Sequence, residues 1–340
     1  MPPAAAWSAA RVLEALDRLP RVALGACPTP LVPLERLSRE LGRPVLLKRD
    51  DILGPAGGGN KTRKLEYLLA EAVAQGATRV VTVGGVQSNH ARLTAAAARM
   101  LGLEPHLLLL GTPPDAATGN LRLMQLLGAT LHFIPPGPMG SRPCGFDELD
   151  DHVRRLAAER VGRHYHVPMG GSNGLGALGY VRAALELDVQ AHEAGVADAW
   201  VVLAAGTGGT FAGLLAGLRL VGSELRPLGI DIGTFWDDFP ALVHRIASDA
   251  CRLLGSGFDL EPDELPLVES AYVGLGYGVP TPEGQEAARR LARSEGLLLD
   301  PTYTAKAFAA LLDLHGGHRL GTDEPLIFWH TGGLPGLFAG

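Results

Sequence analysis

The chain has 340 residues, of which 46% are hydrophobic and 19% charged, with a formal net charge of −6. That length exceeds what one hydrophobic core usually carries and predicts two lobes. The acidic balance and the lack of a basic run give no electrostatic case for nucleic acid, and no apolar stretch reaches membrane-spanning length.

The opening segment, MPPAAAWSAARVLEAL, is amphipathic and carries acidic Glu14 with Asp17 just beyond, unlike a secretory signal. Strand-like apolar runs then alternate with helical patterns, which predicts α/β architecture with parallel sheets. Pro44–Asp51 reads as a strand. From Lys61 to Gln75, Leu65, Leu68, Leu69, Ala72 and Val73 recur at helical spacing, and Gly76 ends the pattern. Ala77–Val83 is a strand running into GGVQSN and an alanine-rich helix that ends near Gly102. Pro105–Gly111 is a strand, a helix follows around Asn120–Leu127, and Ala129–Ile134 is another strand. The Pro/Gly-rich stretch Pro135–Gly145 reads as a surface loop before a helix at Asp147–Val161. His164–Tyr180 is glycine-rich and reads as a crossing between lobes. DAWVVLAAGTGGTFAGLLAGLRL repeats the strand, glycine turn and helix, and RPLGIDIG adds a strand.

Cys27, Cys144 and Cys251 are isolated and odd in number, which fits a reducing cytoplasm better than a disulfide framework. Neither His164 with His166 nor His315 with His318 has an evident third ligand, so no metal is expected.

Three glycine turns are candidates for phosphate. The first, GPAGGGNKTRKLEY, is one residue out of register with GxxxxGK[ST]: Asn60 stands where lysine is required, which counts against an ATP-binding loop. The second, Gly206–Thr210 (GTGGT), follows a strand and opens a helix. Its amides and the Thr207 and Thr210 hydroxyls could hold an anion. GxGxxG fails there because Phe211 takes the third glycine's place, so a monophosphate fits better than a pyrophosphate. The third, GGVQSNH, ends another strand, where Ser88 or Asn89 could simply cap the next helix. Only four of the 30 basic residues are lysines, and Lys61 and Lys64 sit together at a helix start that should repel cations. A phosphate turn, a poised lysine and no nucleotide fingerprint suggest pyridoxal 5'-phosphate, whose aldehyde a lysine holds and whose ring takes up carbanion electrons.

GGGNKTRKLEY, GGVQSNHARLTAA, GGSNGLGALGYV, GTGGT, GLGYGVPTPEG, LDPTYT and HTGG occur in that order over most of the chain. Together they resemble the fold type II pyridoxal-phosphate enzymes that include D-cysteine desulfhydrase and 1-aminocyclopropane-1-carboxylate deaminase. The resemblance implies a tryptophan synthase β-like fold with two three-layer α/β/α domains and mainly parallel sheets. Residues 1–57 plus 172–340 would form the large cofactor-binding domain, and 58–171 the small one. It further implies that Lys61 holds the cofactor and returns protons to the α carbon, with Lys64 near the phosphate. Asn89 would bond the ring's phenolic oxygen, and Ser88 would meet the substrate carboxylate or act near the α carbon, with His90 beside them. Gly206, Thr207, Gly208, Gly209 and Thr210 would bind phosphate, and Tyr277 and Tyr303 would be the active-site tyrosines. A cytoplasmic homodimer acting on a small amino acid is also implied.

Within the family, the cyclopropane deaminase is expected to carry Glu where this chain has Thr304, near the pyridine nitrogen, and an apolar residue where it has Thr331. The desulfhydrase branch has Thr at both. A neutral hydroxyl makes the ring a milder electron sink, which suits β-elimination with a good leaving group. His90 also resembles that branch. Leu93 stands where Gln is expected, and Gly233–Pro240 (GTFWDDFP) matches nothing in the family pattern. The leading expectation is therefore α,β-elimination from a D-amino acid, D-cysteine first. The cyclopropane deaminase, a cysteate sulfo-lyase and a non-catalytic cofactor carrier are the alternatives.

Overall fold

The computed structural model describes residues 6–134, 144–257 and 270–339. The expected surface loop Pro135–Gly145 lies outside the described residues except for its last two. Chain order begins with helix α1 (Ala9–Asp17), strand β1 (Leu31–Pro33), α2 (Glu35–Leu41), β2 (Val45–Arg49) and α3 (Lys61–Ala74). There follow β3 (Arg79–Gly85), α4 (Asn89–Met100), β4 (Glu104–Leu110), α5 (Gly119–Leu126), β5 (Thr130–Ile134), α6 (Phe146–Val161) and β6 (Tyr165–His166). The remainder is α7 (Gly174–Glu193), β7 (Trp200–Ala205), α8 (Gly209–Val221), β8 (Arg226–Asp231), α9 (Phe239–Leu253), α10 (Pro282–Glu295), α11 (Thr304–Gly316) and β9 (Leu326–His330).

Among the described residues the strands form two sheets. One has the order β5-β4-β3-β6 and is parallel throughout. The other has the order β1-β2-β9-β7-β8 and is parallel except for β1, which runs antiparallel to β2. β7 and β9 are buried along almost their whole length. Such strands read as apolar runs because helices cover both faces.

His164–Tyr180, expected as a crossing between lobes, contains the start of a long helix. Its second half starts α7, twenty residues long, capped by the Asn173 side chain on the Gly176 amide at 2.8 Å. The glycines serve close helix packing. A Cβ on Gly179 would stand 2.1 Å from the Arg63 carbonyl oxygen in α3, and one on Gly213 of α8 would stand 2.2 Å from that of Ala177. Without side chains there, α7 lies against both α3 and α8, and this fixes where α3 begins.

The cations of α3 separate accordingly. Arg63 points away from its lysine neighbours into a buried network. Its guanidinium grips both Asp50 oxygens at 2.9 Å and both Glu186 oxygens at 3.0 and 2.9 Å. Lys48 is a second cation on Glu186, and the Tyr180 hydroxyl donates to Asp50 at 2.5 Å. Burial alone would push the Asp50 carboxyl up, but Arg63 and its hydrogen bonds outweigh it and hold that carboxyl down at about 2.

Candidate active site

The C-terminal ends of β3, β7 and β9 and the start of α3 converge on a cavity of about 380 Å³. Parallel α/β sheets place ligands at this end of their strands, and the volume is that of a small-molecule site.

At the first corner, α3 begins with Lys61, whose Nζ donates to Asn60 Oδ1 at 3.1 Å. Burial lowers its pKa from 10.5 to about 8; Asp300 works against that shift and Arg92 adds to it. Lys64, one turn on, donates to the Gly170 carbonyl at 3.0 Å and to Ser172 Oγ at 3.3 Å. Burial and the neighbouring Lys61 hold it well below the ordinary lysine value. Neither lysine has a carboxylate within ion-pair distance among the described residues.

The β7–α8 turn forms the second corner. Gly208 has φ +80°, a conformation that favours glycine, and leads into the first turn of α8. Gly206, Thr207, Gly208 and Thr210 line the cavity. Gly209 does not: its amide donates to Ser172 Oγ at 3.2 Å, and the same oxygen bonds Thr207 Oγ1 at 2.7 Å. Thr210 Oγ1 accepts from Asn60 Nδ2 at 2.9 Å, which ties the starts of α3 and α8 together.

At the third corner Ser88 Oγ caps α4 by accepting from the Ala91 amide at 3.1 Å. Asn89 Oδ1 accepts from Asn120 Nδ2 at 2.9 Å, so the Asn89 amide nitrogen remains as a donor on the cavity wall. His90 also lines the cavity, with its Nε2 against Thr82 Oγ1 at 2.8 Å, and burial holds its pKa well below the usual histidine value. Behind Asn89 sits buried Arg92, which donates to Asn120 Oδ1 at 2.6 Å, to the Gly58 oxygen at 3.0 Å and to the Ala56 oxygen.

Opposite stand the two tyrosines. The hydroxyls of Tyr277 and Tyr303 are hydrogen-bonded to each other, and their rings meet edge to face with centroids 5.8 Å apart. Thr331 lines the cavity, and its carbonyl accepts from the Asn60 amide at 2.9 Å. Thr304, expected at the cofactor's edge, is not on the wall. Its hydroxyl donates to Asp300 Oδ1 at 2.7 Å, because that buried carboxylate gathers Thr304 Oγ1 and the amides of residues 302–304. Leu93 is not on the wall either; it packs in an apolar cluster with Leu65, Leu68 and Leu69.

Sequence reasoning passes over several participants. Asn60 enters it only as the residue that spoils an ATP-loop match. Asp300 lies inside the LDPTYT motif without a part of its own. Phe235 and Trp236, from the segment that matches nothing, reach the site: Phe235 lines the cavity, and Trp236 Nε1 donates to the Gly206 carbonyl at 2.8 Å.

The donor set fits a phosphorylated carbonyl cofactor. It offers an amide-rich helix start, two lysines without counter-carboxylates and, among the described residues, no Asp or Glu on the wall. Fold and cavity thus define an α/β enzyme that works through such a group. The chain belongs to the pyridoxal-phosphate dependent enzymes, the family that matches residues 22–332, and its fold is type II within them. It is 40% identical over 333 residues to a curated D-cysteine desulfhydrase of Klebsiella pneumoniae, covering 96% of this chain and 98% of that one. A crystal structure described as an ACC deaminase homologue superposes with a TM-score of 0.85 at 39% identity, covering 96% of both chains. A threonine deaminase from T.th. shares the fold, with a TM-score of 0.61 at 24% identity over 96% of this chain and 98% of that one.

Proposed function

We propose that the protein catalyses α,β-elimination from a D-amino acid, D-cysteine foremost, releasing sulfide, pyruvate and ammonia. The observation that carries this reading is the cavity's charge: lysines, hydroxyls and amides line it, and among the described residues no carboxylate does. Bound pyridoxal phosphate supplies an electron sink for the pair left on the α carbon. The amides of Gly206–Gly208 with Thr207 and Thr210 would hold its phosphate with Lys64 nearby, Asn89 would donate to its phenolic oxygen, and Thr331 would meet the ring as a neutral hydroxyl.

Lys61 would hold the cofactor, and its Nζ would take the α proton of bound substrate; an amine lowered to about 8 suits that task near neutral pH. Ser88 and the amides opening α4 bind the substrate carboxylate, with His90 behind them. The Cβ–S bond breaks, the thiolate leaves with the electron pair and takes a proton from the Tyr277–Tyr303 pair. The released enamine acid consumes one water to give pyruvate and ammonia.

The likeness to an ACC deaminase homologue favours a second reading, ring opening of 1-aminocyclopropane-1-carboxylate to 2-oxobutanoate. A carboxylate at the ring nitrogen would suit that harder reaction, and among the described residues the cavity wall offers none. The family resemblance also supports a cytoplasmic homodimer, in which residues 58–171 form the smaller domain. No helix among the described residues is long and apolar enough to cross a membrane. The test is keto-acid release by holoprotein given D-cysteine, L-cysteine, cysteate, D-serine and the cyclopropane substrate. Pyruvate with sulfide from D-cysteine is expected, and 2-oxobutanoate alone would overturn the reading. A yellow protein that turns over none of them would be a cofactor carrier.

A further inference from the structure

The segment after β8 that matches no family pattern is built around Phe235. Asp231 ends the strand and accepts from the Gly233 and Thr234 amides at 3.0 and 3.1 Å. Ser270 Oγ donates to its other oxygen at 3.2 Å. Thr234 is held at φ +46°, a left-handed conformation that is costly for a β-branched residue. A Cβ on Gly233 would stand 2.3–2.7 Å from atoms of the Phe235 ring, so only glycine lets the ring fold back over the turn. The Phe235 ring then meets that of Tyr277 edge to face, with centroids 4.7 Å apart. On the other side the bond from Trp236 to Gly206 fastens the segment to the anion-facing turn. Filling space needs no strained threonine; placing one ring against one tyrosine in a cavity gives the strain a use.

The rest of the cavity is already allotted. In the proposed reaction the starts of α8 and α4 would face the two anions, phosphate and carboxylate, and Lys61 the reacting carbon. Phe235 is the wall residue that meets Tyr277, and Leu110, Met169 and Val83, elsewhere on the wall, are likewise uncharged. Among the described residues no arginine is on the wall to meet a second anion carried by the substrate, such as a sulfonate.

We propose that Phe235 is a specificity-determining residue, its ring forming the wall that limits the group on the substrate's β carbon to a small, uncharged one. The proposal rests on the lyase reading above. It is tested with Phe235→Ala and Phe235→Leu holoenzymes against D-cysteine, S-methyl-D-cysteine and S-benzyl-D-cysteine. Two measurements are made: kcat/KM for keto-acid release, and affinity from the change in cofactor absorbance as each amino acid binds, whether or not it reacts. Opening the wall is expected to raise the S-benzyl to D-cysteine ratio about tenfold or more in both measurements, the scale that pocket contacts of one or two carbons command. Uptake of pyridoxal phosphate by the apoprotein should stay within about twofold of wild type, since the anion-facing turn is untouched. Should Phe235→Ala fail to take up cofactor, the milder Phe235→Leu decides. A ratio unchanged in both measurements, or a parallel fall for all three amino acids, overturns the proposal. If wild-type enzyme releases no keto acid from any of them, the lyase reading has failed, and the absorbance titrations still decide the wall.

Discussion

Replacing Arg63 with Met tests the buried network that anchors the first turn of α3. The change deletes both bonds to Asp50, both to Glu186 and a 3.0 Å bond to Thr29 Oγ1. Glu186 keeps Lys48, but Asp50, with no solvent exposure, keeps only the hydroxyls of Thr29 and Tyr180. Removing one partner of a buried ion pair costs about 3–5 kcal/mol. Independently, a carboxyl held at about 2 rather than 3.8 corresponds to about 2 kcal/mol of stability. The two figures agree on a loss of several kcal/mol, a large share of the roughly 5–15 kcal/mol that a folded domain has. The sign of the pH dependence follows. In wild type the depressed pKa contributes stability above 3.8 that is lost as pH falls through about 2. In the variant, burial without Arg63 raises the Asp50 pKa, so the variant loses stability as pH rises through that higher value. The gap between the two proteins should therefore be widest near neutrality and narrow toward pH about 5. Urea unfolding followed by tryptophan fluorescence measures it at both pH values. A gap below about 1 kcal/mol at pH 7, or one that widens on acidification, would refute the reasoning.

Two further outcomes follow from the same elements. On the proposed role of Lys61, capture of pyridoxal phosphate by apoprotein needs its neutral amine, so the rate, read as visible absorbance, should rise with pH through about 8 rather than 10.5. Arg92→Met removes a cation that lowers that pKa and should move the midpoint upward; a downward move contradicts the assignment. In Gly179→Ala, the new methyl meets the Arg63 carbonyl at 2.1 Å and must push α7 and α3 apart. A loss of about 1–3 kcal/mol is expected, together with weaker cofactor binding because Lys61 and Lys64 ride on α3. Unchanged urea midpoint and cofactor affinity in this variant would mean the helices do not need that contact.

What is legible in the sequence is local. A glycine turn between a strand and a helix, or a serine that opens a helix, carries its geometry in a few adjacent residues, so the turns at Gly206–Thr210 and Ser88–His90 can be read directly. What is not legible depends on partners far along the chain. Gly179 of α7 looks like loop because the α3 carbonyl it makes room for is more than a hundred residues earlier. β9 is a five-residue run buried throughout, too short for periodicity to separate strand from helix. Resemblance places Thr304 at the ring, while the buried Asp300 four residues before it claims the hydroxyl. Phe235 carries no motif at all, and its position comes from a strained turn that composition does not reveal.

The three cations that open α3 are reconciled by helical geometry. Residues three apart share a face and residues two apart do not, so Lys61 and Lys64 turn to the cavity together while Arg63 turns away. Arg63 and Lys48 are matched in charge by Asp50 and Glu186, so that network lends the cavity little net field. The two lysines and Arg92 are the local cations left without ion-paired carboxylates among the described residues, beside the amide-rich starts of α4 and α8. Asp300 opposes the lowering of Lys61, which burial drives and to which Arg92 adds. Such a surplus of positive charge in a buried cavity is costly with nothing to balance it, and a phosphate dianion with a substrate carboxylate would balance it. On the proposed reading, the helix start that should repel cations keeps them because anions complete the site.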